Sequence, residues 1–190
     1  MTVRVVELAS VAPQRWRNGG GVTRELLAWP AGSGADWQLR VSVADIERDG
    51  PFSAYPGVQR CFAVLDGAGV SLRFGAVAHV LDNDSPPLAF DGADAPDCRL
   101  IDGPTRDLNL MVRAGAGRAC LCAVGDALEA AGPARWRGLY TAVRLQLVVG
   151  TESPLPLRPH SLAWSDAPIG SWRLLPAAGE PPRAWWLAST

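Results

Sequence analysis

Trp37-Gln38-Leu39-Arg40-Val41-Ser42-Val43-Ala44 decides the fold class. A period of two is the mark of a strand with two unlike faces. Leu39, Val41 and Val43 fall on one face, Arg40 and Ser42 on the other. The segment Asp107-Leu108-Asn109-Leu110-Met111-Val112-Arg113 repeats the pattern. There Leu108, Leu110 and Val112 oppose Asp107, Asn109, Met111 and Arg113. Either polar face would serve as a solvated outer face, but Ser, Asn and Met are odd choices for one. A small β-sandwich often encloses a cavity, and the polar faces suit its lining.

Working outward, short apolar or alternating runs recur between Gly, Pro, Asp and Asn, the pattern of a sandwich or barrel. Strands are expected at Val3–Leu8, Val22–Trp29, Trp37–Ala44, Arg60–Leu65, Val70–Phe74, Val77–Leu81, Cys98–Ile101 and Asp107–Arg113. A second series covers Ala119–Val124, Ala142–Val149, Ser161–Trp164, Trp172–Leu175 and Ala184–Leu187. One short helix is expected over Asp126–Ala131, where Asp126 and Glu129 resemble a capping box and Gly132-Pro133 stops it. Asp84–Asp97, Gly150–Pro159 and Pro176–Pro182 read as loops. The chain is thus all-β, in two related halves divided near residues 114–118, with the site expected in the first.

Composition narrows the function. The net charge of -1 gives no basic face for nucleic acid. All 18 basic residues are arginine, so a Schiff-base lysine and a P-loop lysine are both excluded. Charges interrupt the N-terminus where a signal peptide needs its apolar core, and no run approaches the roughly 20 apolar residues of a membrane span. A cytoplasmic location and no membrane partner are expected. Cys120 and Cys122 share one face of a strand and read as buried or half-buried thiols of a reducing compartment. Cys61 and Cys98 lack the paired spacing of a zinc site. The only histidines are far apart: His79 alternates with apolar neighbours on a strand, and His160 follows Arg158-Pro159 in a surface loop. No metal and no cofactor are expected.

A cavity lined by Arg40, Ser42 and Asn109 suits a carboxylate, because guanidinium offers a planar fork of donors. Arg15-Trp16-Arg17-Asn18-Gly19-Gly20-Gly21 places three glycines before a strand. Their amides are either anion donors or part of an ordinary turn. Asp49-Gly50-Pro51-Phe52-Ser53-Ala54-Tyr55-Pro56-Gly57-Val58-Gln59-Arg60 interleaves turn residues with aromatics and delivers Arg60 into a strand, as a pocket rim would.

These segments resemble the HutD/Ves family. Its opening motif is matched by Trp16-Arg17-Asn18-Gly19-Gly20-Gly21-Val22-Thr23-Arg24-Glu25. Trp37-x-x-Arg40-x-Ser42-x-Ala44, then Gly50-Pro51-Phe52-Ser53 with Pro56-Gly57-x-x-Arg60, then Asp102-Gly103 with Asp107-x-Asn109-x-Met111 follow in the family's order. Leu162-x-Trp164-Ser165-Asp166 is a weaker match in the last third. Arg15 stands where the family often has proline, and Arg17 where it often has lysine. The resemblance implies a bicupin, two cupin barrels in one chain. Residues 1–115 would carry the pocket and residues 116–190 would be mainly structural. It also implies a link to histidine utilisation, with a pathway metabolite bound and pathway activity moderated.

The expected ligand-binding residues are Arg17, Asn18, Arg40, Ser42, Phe52, Arg60, Asp107, Asn109 and Met111. The expected ligand is a small acidic metabolite such as formylglutamate or formiminoglutamate, its carboxylates on Arg40 and Arg60 and its amide-like end read by Asn109 and Ser42. Catalysis without a metal is the alternative: an isomerase or hydrolase using Asp107 beside Arg113, or Glu25, with Tyr55 as acid. No nucleophile–base pair is discernible, so no catalytic residue is assigned and binding is preferred. An interaction module is a third class, motivated by eight tryptophans. Trp185-Trp186 would close a core or form a homodimer contact.

Overall fold

The computed structural model describes residues 2–32, 34–125, 127–167, 170–176 and 182–190. Its strands, in chain order, are β1 (Arg4–Glu7), β2 (Gln14–Arg15), β3 (Gly21–Trp29), β4 (Leu39–Ile46), β5 (Gly50–Pro51), β6 (Val58–Asp66), β7 (Val70–Phe74), β8 (Val77–Leu81), β9 (Leu88–Asp91), β10 (Asp97–Leu100) and β11 (Thr105–Arg113). There follow β12 (Ala119–Ala123), β13 (Glu129–Ala130), β14 (Trp136–Thr141), β15 (Leu145–Val149), β16 (Leu155–Leu157), β17 (Ser161–Ser165), β18 (Trp172–Leu175) and β19 (Ala184–Ser189). Only single turns of 3-10 helix interrupt them among the described residues, and the protein is all-β.

Two compact units result, Val11–Ala119 and Met1–Ser10 with Cys120–Thr190. The first pairs a six-stranded sheet, β2-β3-β4-β11-β6-β9, with a four-stranded sheet, β5-β10-β7-β8. Ala44, Ile46, Phe62 and Val64 of the larger sheet meet Val70, Leu72, Leu81 and Cys98 of the smaller in one core. The second unit has sheets β1-β17-β14-β19-β12 and β13-β18-β15-β16. Its core of Leu139, Leu147, Trp172, Leu174, Ala184 and Trp186 is apolar.

The division expected at residues 1–115 and 116–190 needs correction at its start. β1 pairs antiparallel with β17, Arg4 opposite Trp164 and Glu7 opposite Ser161, so the first strand completes the second unit. The expected helix is also corrected. Glu129 and Ala130 pair with Arg173 and Trp172 as β13, while Asp126 lies outside the described residues. Leu128 packs against the second core, and that burial overrides the local helical preference. Two of the expected loops contain strands: β9 lies within Asp84–Asp97 and β16 within Gly150–Pro159.

Cys120 and Cys122 are exposed, on the face of β12 opposite the buried Ala119 and Leu121. His79 is exposed on the edge strand β8, its ring edge-on to Phe74 at 5.7 Å. His160 is half-buried, with Nδ1 3.1 Å from the Tyr140 hydroxyl. Trp185 and Trp186 are buried within the second unit, Trp185 against the Tyr140 ring and Trp186 in the core.

Candidate functional site

Register builds the site. β11 lies between β4 and β6, and each inward residue of β11 has a partner on both sides. Met111 is flanked by Arg40 and Arg60, Asn109 by Ser42 and Phe62, and Asp107 by Ala44 and Val64. Three rows of side chains follow, about 7 Å apart along the strands, with the two arginines about 10 Å apart across Met111. A slip of one residue would turn every one of these groups to the other face. The strict alternation of Leu39-Arg40-Val41-Ser42-Val43 prevents it, because Leu39, Val41 and Val43 are fully buried on the opposite face.

A cavity of about 420 Å³ opens over the first two rows. Arg40, Ser42, Phe52, Arg60, Asn109 and Met111 line it, and Arg17 and Asn18 reach it from the glycine loop. Among the expected site residues, only Asp107 is absent from the lining. It sits in the third row, with no exposed surface, between Ala44 and Val64. The proposed pairing of Asp107 with Arg113 is corrected too. Arg113 lies at the exposed end of β11, donates to the Ala35 carbonyl and covers the Trp37 ring at 4.9 Å.

Arg60 is the chemical centre. It is 8% exposed, and its Nε and Nη2 both donate to Asn109 Oδ1, at 2.9 and 2.6 Å. The guanidinium carbon lies 4.3 Å from the Phe52 ring centroid and 5.5 Å from that of Phe90. Aromatic faces hold a cation without neutralising it. Burial lowers the Arg60 pKa to about 10, which leaves it charged at neutral pH. No carboxylate lies within ion-pair distance of it among the described residues. Arg40 differs: its Nε donates to Glu25 Oε2 at 2.6 Å, so one edge of the fork is already occupied.

The glycine loop is a turn rather than an anion nest. Gly19 N–H donates to the Trp16 carbonyl and Gly20 N–H to Asn18 Oδ1, so neither amide is left for a ligand. Gly21 is required by space: a Cβ there would lie 2.3 Å from the Asp45 carbonyl oxygen. The loop presents Trp16, whose indole N–H donates to Thr23 Oγ1 at 2.7 Å, and both residues line the cavity. Trp16, Thr23 and Phe90 escaped the sequence reading of the site. Trp16 stood inside the opening motif, whereas nothing in the sequence separated Phe90 from its loop.

The cupin architecture commonly holds a divalent metal through histidines and a carboxylate. The cavity lining here supplies no His, Cys, Asp or Glu, and no group of three such residues suited to a metal occurs among the described residues. Arginine, serine, asparagine and tryptophan do not fit a cation.

Two β-barrels in one chain, one with an apolar core and one holding an arginine-lined cavity, define a bicupin. The chain belongs to the HutD family, whose model matches residues 8–179. It is 34% identical over 167 residues to protein Ves of Cronobacter sakazakii, covering 87% of this chain and 88% of that one. An uncharacterized 21.2 kDa protein in the hutC 3' region of Pseudomonas putida is 40% identical over 103 residues; that match spans 50% of each. Among solved structures, a conserved protein of unknown function from Pseudomonas aeruginosa PAO1 superposes with a TM-score of 0.86 at 28% identity, covering 99% of this chain and 98% of that one. HutD from Pseudomonas fluorescens SBW25, in a formate condition, gives 0.81 at 28% identity, covering 100% and 98%.

Proposed function

We propose that this protein binds a small acidic metabolite of histidine breakdown in the first-barrel cavity and moderates the pathway as a ligand-binding protein rather than as a catalyst. The carrying observation is Arg60: a buried guanidinium, clamped by a neutral amide, with no carboxylate in ion-pair contact among the described residues. A buried charge is costly unless paired, so its counter-ion is the ligand. Both hydrogen bonds on Asn109 Oδ1 come from Arg60, so Asn109 can offer only its amino group to a ligand. The cavity is therefore rich in donors and suits a carboxylate better than a cation. Formylglutamate, with two carboxylates, matches Arg60 together with Arg40 or Arg17.

Calorimetry with formylglutamate and formiminoglutamate tests this reading. Binding by the wild type and weakening of tenfold or more by Arg60→Ala, about 1.4 kcal/mol or more, are expected. No heat with any histidine-pathway intermediate would overturn it. A second reading, metal-independent turnover, is favoured by Glu25 held against Arg40 at 2.6 Å. Incubation with an acidic-metabolite panel, followed by mass spectrometry, separates the two: product formation lost in Glu25→Gln would replace binding with catalysis.

A further inference from the structure

We propose that Asp107, which does not touch the cavity, sets how strongly the cavity holds an anion. With its carboxyl uncharged, the Arg60 guanidinium is left to the ligand; with its carboxyl ionised, that guanidinium is neutralised from inside the protein. This rests on the reading of the cavity as an anion site and adds a residue that lies outside it.

The geometry leaves Asp107 little to stabilise its charge. It has no exposed surface and lies in the row of Ala44 and Val64, below that of Asn109. Thr105 Oγ1 donates to Oδ2 at 2.9 Å, while Oδ1 has no hydrogen-bond partner. No arginine reaches it within ion-pair distance among the described residues. A buried carboxylate with one hydrogen bond is costly, and a neutral carboxyl far less so.

The charged groups around it pull in opposite directions. Burial is the largest influence and raises its pKa. The Thr105 hydrogen bond lowers it, Asp45 on β4 raises it, and Arg60 on β6 lowers it, leaving it at about 8. From β10, the Cys98 thiol faces the same region and is pushed up to about 12 by burial and then by Asp107, so it contributes no charge of its own at neutral pH. Asp45 stays ionised, because hydrogen bonds from Arg106 and Arg24 outweigh its own burial. On the other side, Tyr55 and Arg40 act on Arg60 with opposite sign.

Arg60 and Asp107 therefore feel each other across one row of the sheet without touching. An anion on Arg60 opposes ionisation of Asp107, and by reciprocity ionised Asp107 opposes the anion. Asn109 completes the arrangement. An aspartate at that position would be a permanent internal counter-ion, whereas the amide positions Arg60 and leaves its charge free.

The test uses the full chain with sodium formate as the probe, titrated by calorimetry from pH 6.5 to 9.5 in buffers of differing ionisation enthalpy. Wild-type affinity is expected to fall by about threefold or more across that range, with a fraction of a proton taken up per formate bound near pH 8. Asp107→Asn is expected to remove the fall and the proton uptake around pH 8, leaving only the onset of Arg60 deprotonation toward pH 9.5. Asn109→Asp is expected to abolish formate binding at pH 7. A flat wild-type profile without proton uptake would overturn the proposal, and so would a pH profile unchanged in Asp107→Asn. The wild-type measurement stands by itself if a variant does not fold. Formate binding linked to pH, without any heat from formylglutamate, would sink the metabolite assignment and leave this inference intact. No formate binding at any pH would sink both.

Discussion

At the scale of single residues, the buried acid Asp107 makes a prediction about stability as well as affinity. Its pKa in the folded protein is raised to about 8, above that of an unfolded chain. The native state therefore holds a proton that the unfolded state has released, between about pH 4 and about 8. This group's contribution to stability is complete below that window and is lost as pH rises through it. The loss is at most about 1.4 kcal/mol per pH unit for one proton. Thermal unfolding of Asp107→Asn should show a shallower decline from pH 5 to 8 than the wild type, and a higher midpoint at pH 8. Parallel curves for the two proteins would mean that Asp107 is ionised in the folded state.

At the scale of elements, the glycine run supplies a paired prediction. Gly21→Ala drives a methyl into the Asp45 carbonyl on the adjoining strand β4, where neither backbone can retreat. Gly19→Ala meets open space and costs only its positive φ of 69°. Denaturant unfolding should show a loss of about 2 kcal/mol or more for the first and roughly 1 kcal/mol for the second. Equal losses would show that β3 and β4 can part.

The same scale shows what the sequence could express. β7 and β8 coincide with the expected bounds, because each is a short run closed by turn residues. β4 and β11 were legible through their alternation, and with them most of the cavity floor. β14 was missed: all six residues Trp136–Thr141 are buried, so the strand shows no alternation, and Arg137 and Gly138 sit in its middle. Arg137 is accommodated there by donating to the Gly170 and Gly132 carbonyls, contacts that no local pattern announces. Asp107 was placed in the site because period two gives it the same face as Asn109. Periodicity assigns a face but says nothing of depth, and depth separates a ligand contact from a buried neighbour of one.

At the scale of the whole molecule, the two units divide the work by their interiors. The second is filled by tryptophan and leucine. The first spends part of its interior on polar side chains, and its cavity is the space those leave. A chain starting at residue 11 should test the independence of the two. It loses β1, four backbone-paired positions against β17, and the contact of Val3 with the second core. Lowered thermal stability with formylglutamate affinity retained per folded molecule is expected, measured by calorimetry in both modes. Loss of affinity at full folding would tie the cavity to the N-terminal strand.

The pairing of β1 with β17 also fixes an order of events during synthesis. Glu7 leaves the ribosome about 150 residues ahead of Ser161, its partner. At roughly 5–20 residues per second, this strand waits on the order of ten seconds for the β17 edge it will join. Residues 11–119 emerge within that interval with every strand of their own two sheets present. The cavity-bearing barrel is therefore free to close on the nascent chain while the N-terminal strand hangs unpaired beside it. Of the two paired strands, the one made first must wait longest for its partner.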